Sequence, residues 1–296
     1  MFVLLGPILF LFFINDLPLC SNILMPTLYA DDTTFSIAHN DPEIAATLLN
    51  FELSKFHKWT IENRLSINFE KTEMMLFINR RTNIPELEVN FGGVDLQFTE
   101  CATFLGLKLD DKLKFNNHIE HIVGKLSKNI GIFSKIKYKL PLKSRINYYY
   151  CFIYSYLTYN IIIWGKTYAC HLEPLIVLQK RMIRLMKDAE FLSHTTPLFH
   201  ELRILKFNDI YSYFTSIFMY KAIKIGLYCT EHTVNTRNRN DARPVNCNTT
   251  LRQQSLSYMG PKTWNNLPNE IRSIQKLSTF KNSLKKHFIS CYEQSD

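Results

Sequence analysis

Two kinds of hydrophobic spacing divide this chain. In residues 24–37 (Leu24-Met25-Pro26-Thr27-Leu28-Tyr29-Ala30-Asp31-Asp32-Thr33-Thr34-Phe35-Ser36-Ile37), β-prone runs flank a carboxylate pair. The pattern reads as a hairpin with Asp31 and Asp32 at its turn. Before it, the apolar run 2–14 reads as a buried helix starting at Pro7, where proline suits the first turn, and ending near Asn15-Asp16, with Asp16 as a cap. After it, Asn40-Asp41-Pro42-Glu43 signals a helix start. Ile44, Leu48, Leu49, Leu53, Phe56 and Trp59 follow at helical spacing as a core face, and Asn63 closes the helix. Residues 65–69, 74–78 and 104–109 read as strands, and 87–91 with 94–98 as a hairpin about Gly92-Gly93.

Beyond residue 110 the period becomes helical. Asn117-His118-Ile119-Glu120 resembles a capping box, and Ile119, Ile122, Val123, Leu126, Ile130 and Phe133 line one face of the next helix. Helices are expected over 145–157, over 172–186 (stripe Leu175, Leu178, Met182, Ile183, Met186) and within 191–225. Residues 235–254 read as a polar linker and Gly260-Pro261 as a turn. A last amphipathic helix is capped by Ser278, with Phe280, Leu284 and Phe288 inside. The class is α+β: helices on a largely antiparallel sheet over 1–110, a helical segment over 111–190, and a mostly helical region over 191–296.

Charge sharpens the division. The 296-residue chain carries +9, yet residues 1–50 hold five acids and no Lys or Arg, which leaves +14 for the remainder. Between Lys112 and Lys187 there are 14 basic residues and two acids, Glu120 and Glu173. A basic helical segment beside an acidic turn suits a polyanion and a divalent cation, and equally suits a basic surface that binds nothing. Seven scattered cysteines with no Cys-x-x-Cys pair point to free thiols in a reducing compartment; Cys229, His232 and Cys247 lack a fourth ligand at useful spacing. The run 2–14 has no basic flank, is broken by Gly6-Pro7 and has no small-residue cleavage site, so it reads as neither a signal peptide nor a membrane span.

The order of these segments resembles the reverse transcriptase (RNA-directed DNA polymerase) of non-LTR retrotransposons of the Jockey-like type. Leu5-Gly6-Pro7-Ile8-Leu9-Phe10 with Ile14-Asn15-Asp16-Leu17-Pro18 is similar to the end of the family's template-contacting helix, and Tyr29-Ala30-Asp31-Asp32 to its catalytic hairpin. Asn68-Phe69-Glu70-Lys71-Thr72 resembles the next palm motif, and Phe104-Leu105-Gly106 the primer grip. Trp164-Gly165 and Leu178-Gln179-Lys180-Arg181-Met182-Ile183-Arg184 resemble the helical thumb, and residues 258–268 the tail.

The resemblance implies a partial palm, a basic thumb and a carboxy-terminal extension of a nucleotidyltransferase. Asp31 and Asp32 would hold catalytic Mg²⁺, and Lys71 would serve the leaving pyrophosphate. Phe104, Leu105 and Gly106 would grip the primer, and Lys125, Lys128, Lys180, Arg181, Arg184 and Lys187 would track the nucleic-acid backbone. The implied partners are an RNA template with a DNA primer (an RNA–DNA hybrid) and deoxynucleoside triphosphates, with no membrane and an intracellular site, nuclear or cytoplasmic. The family's first catalytic aspartate lies upstream of the hairpin, and no residue before Asp31 matches it. The expectation is therefore an amino-terminally truncated polymerase, inactive alone; the alternative is a non-catalytic nucleic-acid-binding remnant that uses the basic thumb.

Overall fold

A computed structural model describes residues 2–78, 87–228 and 241–293. The chain divides into two compact units, residues 1–102 and 103–296. Among the described residues, no helix is long and apolar enough to cross a membrane, and no disulfide joins the described cysteines.

In the first unit, helix α1 spans Phe2–Ile14 with Pro7 inside it. It therefore begins before the proline instead of at it, and it is not buried: Leu5, Ile8, Leu9, Leu11, Phe12 and Phe13 are exposed, with Ile14 the anchor. An all-apolar helix has no preferred face, and the core of this unit, centred on Leu53, Val89 and Phe91, is too small to enclose one. Strands β1 (Met25–Tyr29) and β2 (Asp32–Ser36) form an antiparallel pair. Helix α2 spans Pro42–Glu62, with the Asp41 carboxylate accepting from the amides of Glu43 and Ile44 and Asn63 closing the far end. Leu53 is buried and Phe56 partly so, but Ile44 is exposed, because the stripe's first turn runs past the core.

Strands β3 (Val89–Phe91) and β4 (Val94–Leu96) meet at Gly92-Gly93, both with positive φ. A Cβ on Gly92 would come within 2.8 Å of the His57 ring, so the position excludes larger residues. Asn50 on α2 pins β3: its side-chain amide donates to the Glu88 carbonyl at 3.0 Å, and its oxygen accepts from the Asn90 amide at 2.8 Å.

The strands expected at 65–69 and 74–78 are absent from the described residues. A 3₁₀ turn, Phe69–Lys71, stands between them, closed by the Asn68 side chain accepting from the Lys71 amide. Met74 makes one isolated bridge to Phe98. A β-prone run without a neighbouring edge has no ladder to join, and the local asparagine hydrogen bonds prevail. Among the described residues the two-stranded sheets also stay separate, so the single sheet expected over 1–110 is not seen there.

Strands β5 (Cys101–Phe104) and β6 (Leu107–Asp110) make the third sheet, turning at Leu105 and Gly106, which both have positive φ. The strand expected at 104–109 is thus a hairpin. Helix α3 spans Asn116–Ile136. The Asp110 carboxylate accepts from the Lys114 and Phe115 amides at 2.8 and 2.5 Å, so no capping box forms at Asn117. Helices α4 (Leu142–Tyr149) and α5 (Ser155–Thr158) continue through a π-helical turn, and α6 spans Ile161–Trp164. Helix α7 spans Ala169–Met186, α8 Thr196–Leu202 and α9 Phe207–Lys224. Ile119, Ile122, Leu126, Ile130 and Phe133 of α3 share one core with Leu175, Met182, Ile183 and Met186 of α7, around a fully buried Trp164. The buried Gln179 amide donates to the Tyr149 hydroxyl and the Leu205 carbonyl, both at 2.9 Å.

The carboxy-terminal helices are α10 (Thr250–Gln254), α11 (Leu256–Asn265), α12 (Asn269–Arg272) and α13 (Leu277–Ser290). Residues 235–240 of the expected linker lie outside the described residues; 241–249 carry no helix or strand, and α10 occupies its end. Gly260-Pro261 is no turn but part of α11, where the missing side chain lets α9 approach: a Cβ on Gly260 would lie 2.7 Å from the Met219 sulfur. Ser278 lies in the first turn of α13, and Lys276 holds the cap position. Phe280 and Leu284 are fully buried, as the stripe requires.

Asp188, at φ 51° just past α7, ties these helices together. It accepts from Lys137 Nζ at 2.7 Å and from Arg145 at 2.5 Å, and Arg145 also donates to the Met186 carbonyl at 2.9 Å. The Lys137 hydrogen bond, then that of Arg145, holds the Asp188 carboxyl below its usual range. A depressed carboxylate pKa stabilises the fold above the ordinary carboxylate range, and this stability is lost as pH falls through the folded value. Asp188→Asn, which keeps the residue's tolerance of positive φ, is expected to cost about 1 kcal/mol at neutral pH, since solvent screens a carboxylate that is 43% exposed. Urea unfolding is expected to show the gap closing toward pH 3; a gap independent of pH would contradict this role.

Candidate catalytic hairpin and nucleic-acid interface

The β1–β2 register places Tyr29 opposite Asp32, which leaves Ala30 and Asp31 as a two-residue turn. Ala30 takes φ 53°, a conformation that a residue with a Cβ adopts at some cost. Inward positions alternate with outward ones: Leu28, Thr33 and Phe35 are half-buried, while Tyr29, Asp31 and Asp32 are exposed. The turn therefore presents two adjacent carboxylates to solvent. Mg²⁺ commonly takes one or two carboxylates and fills its remaining positions with water and substrate phosphates. The pair can supply that share, but among the described residues no group of three or more His, Cys, Asp or Glu could close a site around a metal. Cys229 and His232 lie outside the described residues.

A run of aromatic contacts supports the hairpin. Phe35 meets Phe56 of α2 edge-on at 4.7 Å, Phe56 stacks on Phe91 of β3 at 5.5 Å, and Phe69 meets Phe91 edge-on at 5.6 Å. Phe69 opens the turn that carries Lys71, so the hairpin and that turn rest on the same two elements. Lys71 is exposed and makes no ion pair with Asp31 or Asp32. Asp16 is no side-chain cap; its carboxylate accepts from the Trp59 indole at 3.4 Å.

The Phe104-Leu105-Gly106 segment forms the β5–β6 turn, held by the Tyr159 hydroxyl donating to the Leu105 carbonyl at 2.5 Å. The six basic residues expected to contact nucleic acid separate into two sets. Lys125 and Lys128 on α3, and Lys180 and Arg181 on α7, are exposed and form no ion pair among the described residues. Arg184 instead donates through Nε to the Ser193 carbonyl at 2.9 Å, and Lys187 pairs with Glu201 at 2.5 Å. Lys206 went unnoticed in the sequence. A single lysine among Ile204, Leu205 and Phe207, all buried, is the signal that would have found it.

No protein-family model and no solved structure matches the chain. Curated relatives do, and they bear out the resemblance carried by the motifs: the chain is related in sequence to RNA-directed DNA polymerases of mobile elements. It is 27% identical over 216 residues to the RNA-directed DNA polymerase from mobile element jockey of Drosophila melanogaster, and 27% identical over 215 residues to its counterpart in Drosophila funebris. The probable RNA-directed DNA polymerase from transposon X-element of Drosophila melanogaster is 24% identical over 209 residues. The matches cover 68–69% of this chain and 23% of each of these relatives, so the chain spans about a quarter of their length.

Phe56→Ala removes the ring shared by the hairpin and β3, at an expected cost of about 3 kcal/mol. Hydrogen exchange is expected to quicken at the β1–β2 amides and to stay unchanged in α3 and α7. Equal quickening in both would show that the aromatic run does not specifically support the hairpin.

Proposed function

We propose that this chain is the palm-and-thumb portion of an RNA-directed DNA polymerase of a mobile element and that it binds a template–primer duplex. The observation that carries the reading is the β1–β2 hairpin, whose register puts Asp31 in a two-residue turn and Asp32 beside it. In this reading Asp31 is a metal ligand and Asp32 assists it. Bound Mg²⁺ would supply charge neutralisation on the nucleotide phosphates. Lys71, on the neighbouring turn, faces pyrophosphate as a charge partner or general acid. Phe104, Leu105 and Gly106 form the primer grip, and Lys125, Lys128, Lys180 and Arg181 contact phosphates of an RNA–DNA hybrid without reading sequence. The setting is intracellular, in the nucleus or cytoplasm.

Two carboxylates from one turn, with no third group among the described residues, hold a divalent cation weakly. The chain alone is therefore a binding module that does not extend a primer. The second reading, a remnant that binds nucleic acid with no polymerase partner, rests on the same four exposed cations.

Primer extension on an RNA template with deoxynucleoside triphosphates and Mg²⁺ is expected to give no product above an Asp31→Asn control. Extension lost in that control would overturn the claim of inactivity. Hybrid binding is expected to weaken with salt, to fall about tenfold or more in Lys180→Glu/Arg181→Glu and to be unaffected by Asp31→Asn. An absence of binding at low salt would overturn both readings.

A further inference from the structure

A cavity of about 300 Å³ lies among α7, the loop that follows it, and the starts of α8 and α9. Lys180, Arg184, Lys206 and His194 line it together with Thr195, Thr196 and Asn208, and no Asp or Glu does. Its size is at the small end of ligand clefts. Three basic side chains around one cleft, with no acid in its lining, make it attractive to an anion.

The positions of these cations are built by the fold. Arg184 is held through Nε by the Ser193 carbonyl, and its two terminal nitrogens have no partner among the described residues. Lys206 is half-buried, donates to the Thr196 hydroxyl at 3.0 Å and lies over the Tyr292 ring at 4.4 Å. Among the described residues it has no carboxylate within ion-pair distance. Burial lowers the Lys206 pKa, with Asp209 opposing and the charge of Lys180 adding to the effect. The Asp209 carboxylate accepts from the Tyr292 hydroxyl and acts on Lys206 from beyond ion-pair distance. Two threonine hydroxyls and the Asn208 amide supply the neutral donors that an oxyanion with several oxygens uses.

We propose that this cavity is a phosphate subsite that seats one phosphodiester of a bound nucleic-acid strand, with Lys206 and Lys180 as its principal contacts. The inference rests on the proposed duplex-binding role and adds a seated position to it. Arg184, which has only a backbone contact elsewhere, becomes a phosphate ligand through its free end. A strand phosphate is favoured over a free anion because the cleft is partly open and Lys180 extends it onto the exposed basic face of α7.

The test is fluorescence anisotropy of a labelled RNA–DNA hybrid over a series of KCl concentrations, using the full chain. Lys206→Gln and Lys180→Gln are each expected to weaken binding about five- to tenfold and to lower the salt slope by about one. Lys206→Arg is expected to retain most of the affinity. Lys125→Gln monitors the underlying reading. If it weakens binding while Lys206→Gln matches the parent, the subsite is overturned and the duplex-binding role stands. If Lys206→Gln does not fold, judged by circular dichroism, Thr196→Val decides in its place: unchanged binding overturns the subsite, because Lys180 also belongs to the exposed face of α7. If no hybrid binds at low salt, the duplex-binding role fails, and thermal unfolding in inorganic phosphate against chloride of equal ionic strength is decisive. Stabilisation lost in Lys180→Gln would then assign the cavity to free phosphate and overturn the strand. No stabilisation would overturn the subsite altogether.

Discussion

The pairing of α3 with α7 is the constraint on which the helical unit depends. Each helix carries an apolar stripe that must leave water, and the two stripes close on one core around Trp164. Each such side chain contributes on the order of 2 kcal/mol when buried, so neither helix can rotate without exposing several of them. Because the apolar stripes face inward, Lys125, Lys128, Lys180 and Arg181 must face outward. The basic surface is therefore a by-product of core packing, fixed in position without any contact of its own. Asp188 secures the end of α7 by binding Lys137 and Arg145, cations from two segments that precede it. The loop that follows, held by Arg184 through Ser193, forms one wall of the cationic cavity.

The first unit rests on a different principle. Its core is small, and its key contacts are between rings. Phe35, Phe56, Phe91 and Phe69 connect the carboxylate hairpin, α2, β3 and the Lys71 turn. Such contacts fix the supporting surface of the hairpin while its tip extends into solvent. This arrangement fits the proposed metal role, in which Asp31 and Asp32 would supply two ligands and a substrate's phosphates the others.

The elements best legible in the sequence were those whose pattern is satisfied locally. Asp41 and Pro42 start α2, Asn63 ends it, Gly92-Gly93 turns a hairpin, and the stripes of α3 and α7 are buried as read. The carboxylate turn was legible for the same reason, since its strands pair with each other. The failures needed knowledge of a partner. Residues 65–69 and 74–78 have strand-like composition but no edge to join. Gly260-Pro261 looks like a turn, yet the glycine serves the approach of α9. The apolar run 2–14 reads as buried, but nothing in the first unit's core is large enough to cover it. The ion pair of Lys187 with Glu201 and the hydrogen bond from Arg184 Nε to the Ser193 carbonyl are likewise not visible in the sequence, and they leave the terminal nitrogens of Arg184 open. The motif order, by contrast, carried the family resemblance without any tertiary information, and similarity over 69% of the chain to the jockey polymerases bears it out.

Packing of α3 against α7 presents the face proposed to bind nucleic acid. Lysine footprinting tests it most directly: the amine reactivity of each lysine, read by mass spectrometry, is compared with and without an RNA–DNA hybrid. Lys125, Lys128 and Lys180 are expected to lose reactivity when the hybrid binds, while the exposed Lys58 on α2 is not. Bound hybrid with those three lysines as reactive as before, or with protection confined to residues 1–102, would contradict it.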